Sequence, residues 1–247
     1  SDGKVPDRTG NGFDVSVTAG IATVVPYTGL SNGADNELIA LRGSTATKLA
    51  WPINSIPQTM TICSVSRLTG GRYGRVLNMY QGPDQNTNSL HGHSGPNHAP
   101  KRGVVYYNGG FKTSNSNKGV LTNWLVLCGT SGGTSPHNII MDQVSIGSSS
   151  AVTNVAGQLN VNYGDTADFE LHSVYIWPAV LSATQMRHTT SALRAQIGGT
   201  PDIADNLVGP EVIPMTPSQT AYEQVCPAGT YLDATNGDCT TCPANSG

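Results

Sequence analysis

Short apolar or half-apolar runs recur along the chain and are separated by turn-forming clusters. The runs are "FDVSVTAG", "ELIALRG", "MTICSVSRL", "GRVLNMY", "GVVYYNGGF", "NWLVLCG", "NIIMDQVSIG", "GQLNVNYG" and "FELHSVYIW". Each reads as a strand with one face for a core. Asn11-Gly12, Asn32-Gly33 and Asn108-Gly109, with Gly70-Gly71 and Gly132-Gly133, tolerate positive φ and close hairpins. Strands at this spacing predict an antiparallel sandwich rather than a parallel α/β sheet. One stretch breaks the pattern. "SATQMRHTTSALRAQIG" predicts a helix capped by Ser182 and ended by Gly198, with Met186, Leu193 and Ile197 as its apolar stripe.

The pattern divides the chain into a sandwich over residues 1–197, a linker over 198–222 and a cysteine-rich piece over 223–247. The linker holds four prolines and has no clear period. Three of the five cysteines, Cys226, Cys239 and Cys242, fall within the last 22 residues. Such clustering belongs to disulfide-stapled modules of oxidising compartments. The odd count and the ending "CPANSG" lead us to expect a fragment, with Cys242 paired to a residue beyond Gly247.

Composition removes several function classes. Charged residues make up 12% of the 247 residues, about half the usual ~25%, and the net charge is −3. No basic run exceeds Lys101-Arg102, so no nucleic-acid partner is expected. No apolar run approaches the ~20 residues of a membrane span. "SDGKVPDRTG" carries no signal peptide, so export would need a leader upstream.

"PDRTGNGFDVSV" resembles the opening of laminin-G-like domains of the concanavalin A-like lectin/glucanase superfamily, where an Asp, a Gly-Asn-Gly turn and an alternating strand begin the fold. "DFELHSVYIWPAVLSATQMRHTTSAL" resembles their closing strand and short helix, and "MTICSVSRLTGGRYGRVLN" and "NWLVLCGTSGG" stand where central strands would. The resemblance implies an all-β, antiparallel jelly-roll sandwich with one short C-terminal helix. It does not choose among lectins, adhesion modules, enzymes and scaffolds. "CPAGTYLDATNGDCTTCPANSG", with spacing C-x12-C-x2-C, resembles EGF-like or ephrin-receptor-like repeats of extracellular proteins. A Cys226–Cys239 bridge goes with that resemblance. Together with "LHGH" and "VVYYNGGF", the combination is similar to large cell-surface proteins of algae and other protists.

Candidate chemistry is sparse. In "HGHSGPNHAPKRG", His91 and His93 share a strand face, and His98 follows. Zinc needs three or four ligands, and no carboxylate or thiolate lies within the stretch. A polar rim touching ligand, or rings packed inside the sandwich, are the alternatives. Cys63 and Cys128 sit on two predicted strands, and an oxidising compartment favours a disulfide between them over two free buried cysteines. Relatives of the resembled class often hold calcium at a rim, and Asp84, Asp142, Asp165 and Asp168 are available, but none forms an EF-hand-like run. A retaining glycosidase needs two close carboxyl groups. Asp168 and Glu170 alone point together, without the third acid of E-x-D-x-x-E, and read as solvated strand-end carboxylates. "GTSGGTSP" lacks a P-loop lysine. Sugar binding needs an aromatic platform and amide or carboxylate hydrogen-bonders. Tyr80, Asp84, Gln85, Asn86 and Asn88, joined by His91 and His93, are the candidates, whereas Trp124 and Trp177 sit in apolar runs and read as core.

The expectation is a non-catalytic extracellular recognition or adhesion module, with a glycan or neighbouring protein subunits as partner and no required cofactor. A structural subunit of an extracellular filament, sheath or flagellar hair is the first alternative, because a weakly charged surface packs with few ions to desolvate. A glycoside hydrolase is the second.

Overall fold

Alternation at period two lets each run turn one face to a shared core, and in the computed structural model the runs pair antiparallel throughout. The structure describes residues 4–28, 30–80, 89–95, 99–107, 110–132, 137–148, 156–199, 230–232 and 239–241. Its strands are β1 (Lys4–Val5), β2 (Val15–Ala19), β3 (Ala22–Tyr27), β4 (Leu38–Gly43), β5 (Lys48–Ala50), β6 (Met60–Leu68), β7 (Leu77–Tyr80), β8 (Ser89–Ser94), β9 (Lys101–Tyr107), β10 (Gly110–Phe111), β11 (Leu125–Ser131), β12 (Ile139–Met141), β13 (Val144–Gly147), β14 (Gln158–Val161), β15 (Phe169–Trp177), β16 (Thr230–Leu232) and β17 (Cys239–Thr241). The helix is α1 (Ala183–Ile197).

The chain divides into two units, Ser1–Leu207 and Val208–Gly247. The first is a sandwich of an eight-stranded sheet, ordered β1-β2-β5-β14-β7-β8-β9-β10, and a seven-stranded sheet, ordered β13-β12-β11-β6-β15-β4-β3. In the second, β16 and β17 pair antiparallel, with Leu232 opposite Cys239. Cys226 and Cys242 lie outside the described residues, and with them the expected Cys226–Cys239 bridge and the partner of Cys242.

Two cores hold the sandwich. Leu49, Leu77, Met79, Val105 and Leu159 of one sheet meet Met60, Ile62, Leu127 and Phe169 of the other. On the far side of the seven-stranded sheet, Cys63, Val65, Val126, Cys128 and Ile140 meet Met186, Leu193 and Ile197 of α1. Burying each such side chain contributes about 1.5–3 kcal/mol of transfer free energy. The seven-stranded sheet is therefore covered on both faces at its centre, and β6 is buried at all nine of its positions.

The helix ends where the sequence predicts. Ser182 accepts from the Gln185 N–H and the Gln185 side chain accepts from the Ser182 N–H, a reciprocal cap. Gly198, at φ 64°, donates its N–H to Arg194 O. The helix is latched by charge as well. The Arg194 guanidinium bonds Asp142 Oδ1, with Nε at 2.8 Å, and its Nη1 reaches Gly33 O. Asp142 and Gln143, at φ 47° and 71°, form the tight β12–β13 turn.

Cys63 and Cys128 are directly opposed on β6 and β11, Cα–Cα 4.1 Å, and are joined as a disulfide beneath α1. The free-thiol alternative is thereby removed. "SLHGHS", which carries His91 and His93, is β8 and is buried at all six positions.

Candidate functional site

Three strands that are distant in sequence carry one charge each to the same row of the seven-stranded sheet's outer face. Thr23 of β3 lies opposite Arg42 of β4, Arg42 opposite Glu170 of β15, and Glu170 opposite Arg67 of β6. Directly opposed residues point to the same side, so the pairing register builds the row. Glu170 is fully buried and accepts from both arginines: Arg42 Nε at 2.7 Å on Oε1, and Arg67 Nε at 2.6 Å on Oε2. Arg67 also donates to Thr122 O, and its guanidinium lies 5.0 Å from the Tyr27 ring and 5.5 Å from the Trp124 ring. Those two rings meet edge to face at 5.6 Å. Glu170 is thus an ion-paired interior group, which corrects its expectation as a solvated carboxylate. Burial of a charge is tolerated here because both carboxylate oxygens are paired and hydrogen-bonded.

The other end of the row opens to water. The Arg42 side chain is 50% exposed and lines an open cleft of about 330 Å³ together with Ile21, Thr23, Ser44, Thr69 and Asp168. That volume is at the low end of ligand sites. Asp168 shapes one wall. Its Oδ1 accepts from the Thr45 N–H and its Oδ2 from the Arg72 N–H. The loop must pass very near that carboxylate: a Cβ on Gly71, whose φ is 83°, would stand 2.5 Å from Asp168 Oδ2. Only glycine suits both that conformation and that approach.

A second polar cluster is sealed between the sheets. The His91 and Tyr107 rings are near-parallel, centroids 6.2 Å apart, and are joined through the hydrogen bond of His91 Nδ1, 2.6 Å from Tyr107 Oη; His91 Nε2 lies 3.3 Å from Leu127 O. A proton on Nε2 satisfies both contacts: the ring donates to the carbonyl and accepts from the phenol. Burial pulls the His91 pKa down to about 4. Burial, then Arg102, then His91 pull His93 down to about 3. Arg102 donates to Lys118 O and Trp124 O at 2.8 Å each. Lys118 Nζ in turn bonds Ser114 O and Ser116 O.

His91 and His93 are both fully buried, so the alternative of rings packed inside the sandwich holds, and the expectation that they touch a ligand at a rim is corrected. Tyr80 ends β7 opposite Gln158. Asp84, Gln85, Asn86 and Asn88 lie outside the described residues, as does His98. Of the aspartates weighed for calcium, Asp142 is buried and holds Arg194, Asp165 pairs with Arg75 at 3.0 Å, and Asp168 holds main-chain N–H groups. Asp84 is outside the described residues. Trp124 is core, as expected, and Trp177 is partly buried.

Arg42 and Arg67 escaped the sequence reading. Their signal is a single arginine near the end of an otherwise uncharged strand, in "LIALRG" and in "MTICSVSRL".

No protein-family model matches the chain, and no curated protein matches it in sequence. Solved structures do match in shape. One is domain 4 of AbnA, a GH43 extracellular arabinanase from Geobacillus stearothermophilus, solved in complex with arabinotriose: TM-score 0.51, 10% identity, covering 75% of this chain and 92% of that one. Another is the binding domain of Paraclostridial Mosquitocidal Protein 1: TM-score 0.50, 14% identity, covering 78% of this chain and 50% of that one. At these identities the likeness shows the fold alone, an all-β sandwich shared with these domains.

Proposed function

We propose that the sandwich is a non-catalytic carbohydrate-recognition module of an extracellular protein, and that the cleft at the open end of the Arg42–Glu170–Arg67 row holds the sugar. One observation carries this reading: a half-exposed guanidinium is fixed by a buried carboxylate at an open cleft lined by the hydroxyl residues Thr23, Ser44 and Thr69. Sugars are recognised by several directional hydrogen bonds, and a donor held in place costs little ordering on binding. The fold shared with a domain solved in complex with arabinotriose supports the ligand class. The Cys63–Cys128 disulfide supports an oxidising compartment. A non-catalytic role is supported by the two carboxylates nearest the cleft. Glu170 is engaged by two arginines and Asp168 by two main-chain N–H groups, so the oxygens of both are already committed to partners within the fold.

Isothermal titration with neutral and acidic oligosaccharides tests the reading. Saturable binding that is lost in Thr23→Trp, which fills the cleft mouth, is expected. Absence of binding across the panel overturns it. A packing role in a filament is a second reading, favoured by exposed apolar residues beside edge strand β3. Ile21, Val24 and Ile39 are 77%, 71% and 67% exposed. Sedimentation of the purified chain as polymers would support that reading.

A further inference from the structure

We infer that the cleft selects acidic saccharides, and that the free end of the Arg42 guanidinium binds their carboxylate or sulfate group. The inference rests on the carbohydrate reading and adds the ligand class. A guanidinium offers two paired donor edges, and Glu170 takes only one. Arg42 Nε and Nη2 both bond Glu170 Oε1, the side-on edge, while Nη1 makes no hydrogen bond to the protein among the described residues. The end-on edge, Nη1 with the second N–H of Nη2, is left on a side chain half open to water. That edge fits a planar carboxylate or two sulfate oxygens bidentately, whereas a neutral sugar hydroxyl engages one donor.

The charge balance points the same way. The row holds two arginines against one glutamate. Arg67 is enclosed by Tyr27 and Trp124, so the excess positive charge is expressed at Arg42. Asp168 is the negative group on the cleft wall. Its two oxygens accept from the N–H groups of Thr45 and Arg72, so much of its field is spent on the backbone. Thr23, directly across from Arg42 on the edge strand, leaves the approach uncharged.

The full chain is applied to an array spanning neutral, uronate-bearing, sialylated and sulfated glycans. The best acidic binder is then titrated beside its carboxyl-reduced or desulfated form, which also separates carboxylate from sulfate recognition. The neutralised form is expected to bind at least tenfold more weakly. Arg42→Gln is expected to weaken the acidic ligand roughly ten- to hundredfold, as when a charge-assisted pair is removed. Raising the salt concentration is expected to weaken it too. Thr23→Glu is a second variant that leaves the buried row intact. It places a carboxylate against the same donor edge and is expected to abolish acidic-glycan binding. Equal affinity for the neutralised form, or unchanged acidic binding in folded Arg42→Gln and Thr23→Glu, overturns the inference while the carbohydrate reading stands. Failure to bind any glycan overturns both.

Discussion

Acid should unfold this sandwich through His91 and His93. Both rings are fully buried, with pKa values of about 4 and about 3, whereas each returns to an ordinary value near 6.5 in the unfolded chain. A folded pKa below the unfolded one means that protonation favours the unfolded state. The neutral-state stability is therefore fully present above pH 6.5 and is lost as the pH falls, until about pH 4 for His91 and about pH 3 for His93. Each pKa unit is worth about 1.4 kcal/mol. At pH 5 each histidine then costs about 2 kcal/mol, and the pair roughly 4 kcal/mol, against a total stability of about 5–15 kcal/mol for a typical domain. The groups facing His93 sharpen the effect, since Arg102 is cationic and His91 opposes a second charge. Urea unfolding at pH 7, 6 and 5 at constant ionic strength measures this directly, above the range where carboxylates dominate. Wild type should lose roughly 4 kcal/mol from pH 7 to 5, and His93→Gln, less stable at pH 7, should lose about half as much. A pH-independent wild type, or an unchanged slope in His93→Gln, would refute the reasoning.

Replacing both Cys63 and Cys128 by Ala should cost about 4 kcal/mol in urea unfolding, since the bridge closes a 65-residue separation in the unfolded chain. Without denaturant, mild reductant should leave the bridge intact by mass spectrometry, because both cysteines are fully buried. Arg67→Ala should destabilise by about 3–5 kcal/mol, because Glu170 stays buried with half its charge partners gone; calorimetry should show a fall of at least ~6 °C in Tm. Gly43→Ala should cost about 1–3 kcal/mol, as the added Cβ would stand 2.5 Å from the Phe169 ring with Thr47 Cβ at 2.8 Å.

Features set by local chemistry were legible. The cap residues Ser182 and Gly198 bound α1 as read, and Asn32-Gly33 turns with both residues at positive φ, 51° and 71°. The β12–β13 hairpin shows where local signals stop. Asp142-Gln143 lacks the glycine such a turn favours, yet adopts positive φ at both positions. Tertiary contacts hold it: the Asp142 carboxylate is taken by Arg194, and the Gln143 N–H by Thr190 Oγ1, both on α1. Likewise "SLHGHS" looks like a rim because histidine and serine are polar. Inside, Tyr107 and Leu127 O supply partners for His91 that no local window contains.

The candidate site was less legible for a related reason. Period-two alternation tells which residues share a face, but not which strand lies alongside, and the row joins residues 128 and 103 positions apart. Even so, "MTICSVSRL" carried a usable clue. Antiparallel strands with one wet face alternate, and this one does not, so both of its faces had to be covered. A charge within such a strand cannot stay unpaired, because desolvating a lone guanidinium costs more than packing returns. Arg67 therefore required a carboxylate on a neighbouring strand of the same sheet. The acid on the sandwich's closing strand is Glu170, and a glutamate with two oxygens and one buried partner has room for a second arginine at the sheet's margin. Arg42 fills that place, and because its side chain is half exposed, the residue that completes an interior ion pair is also the one that meets solvent.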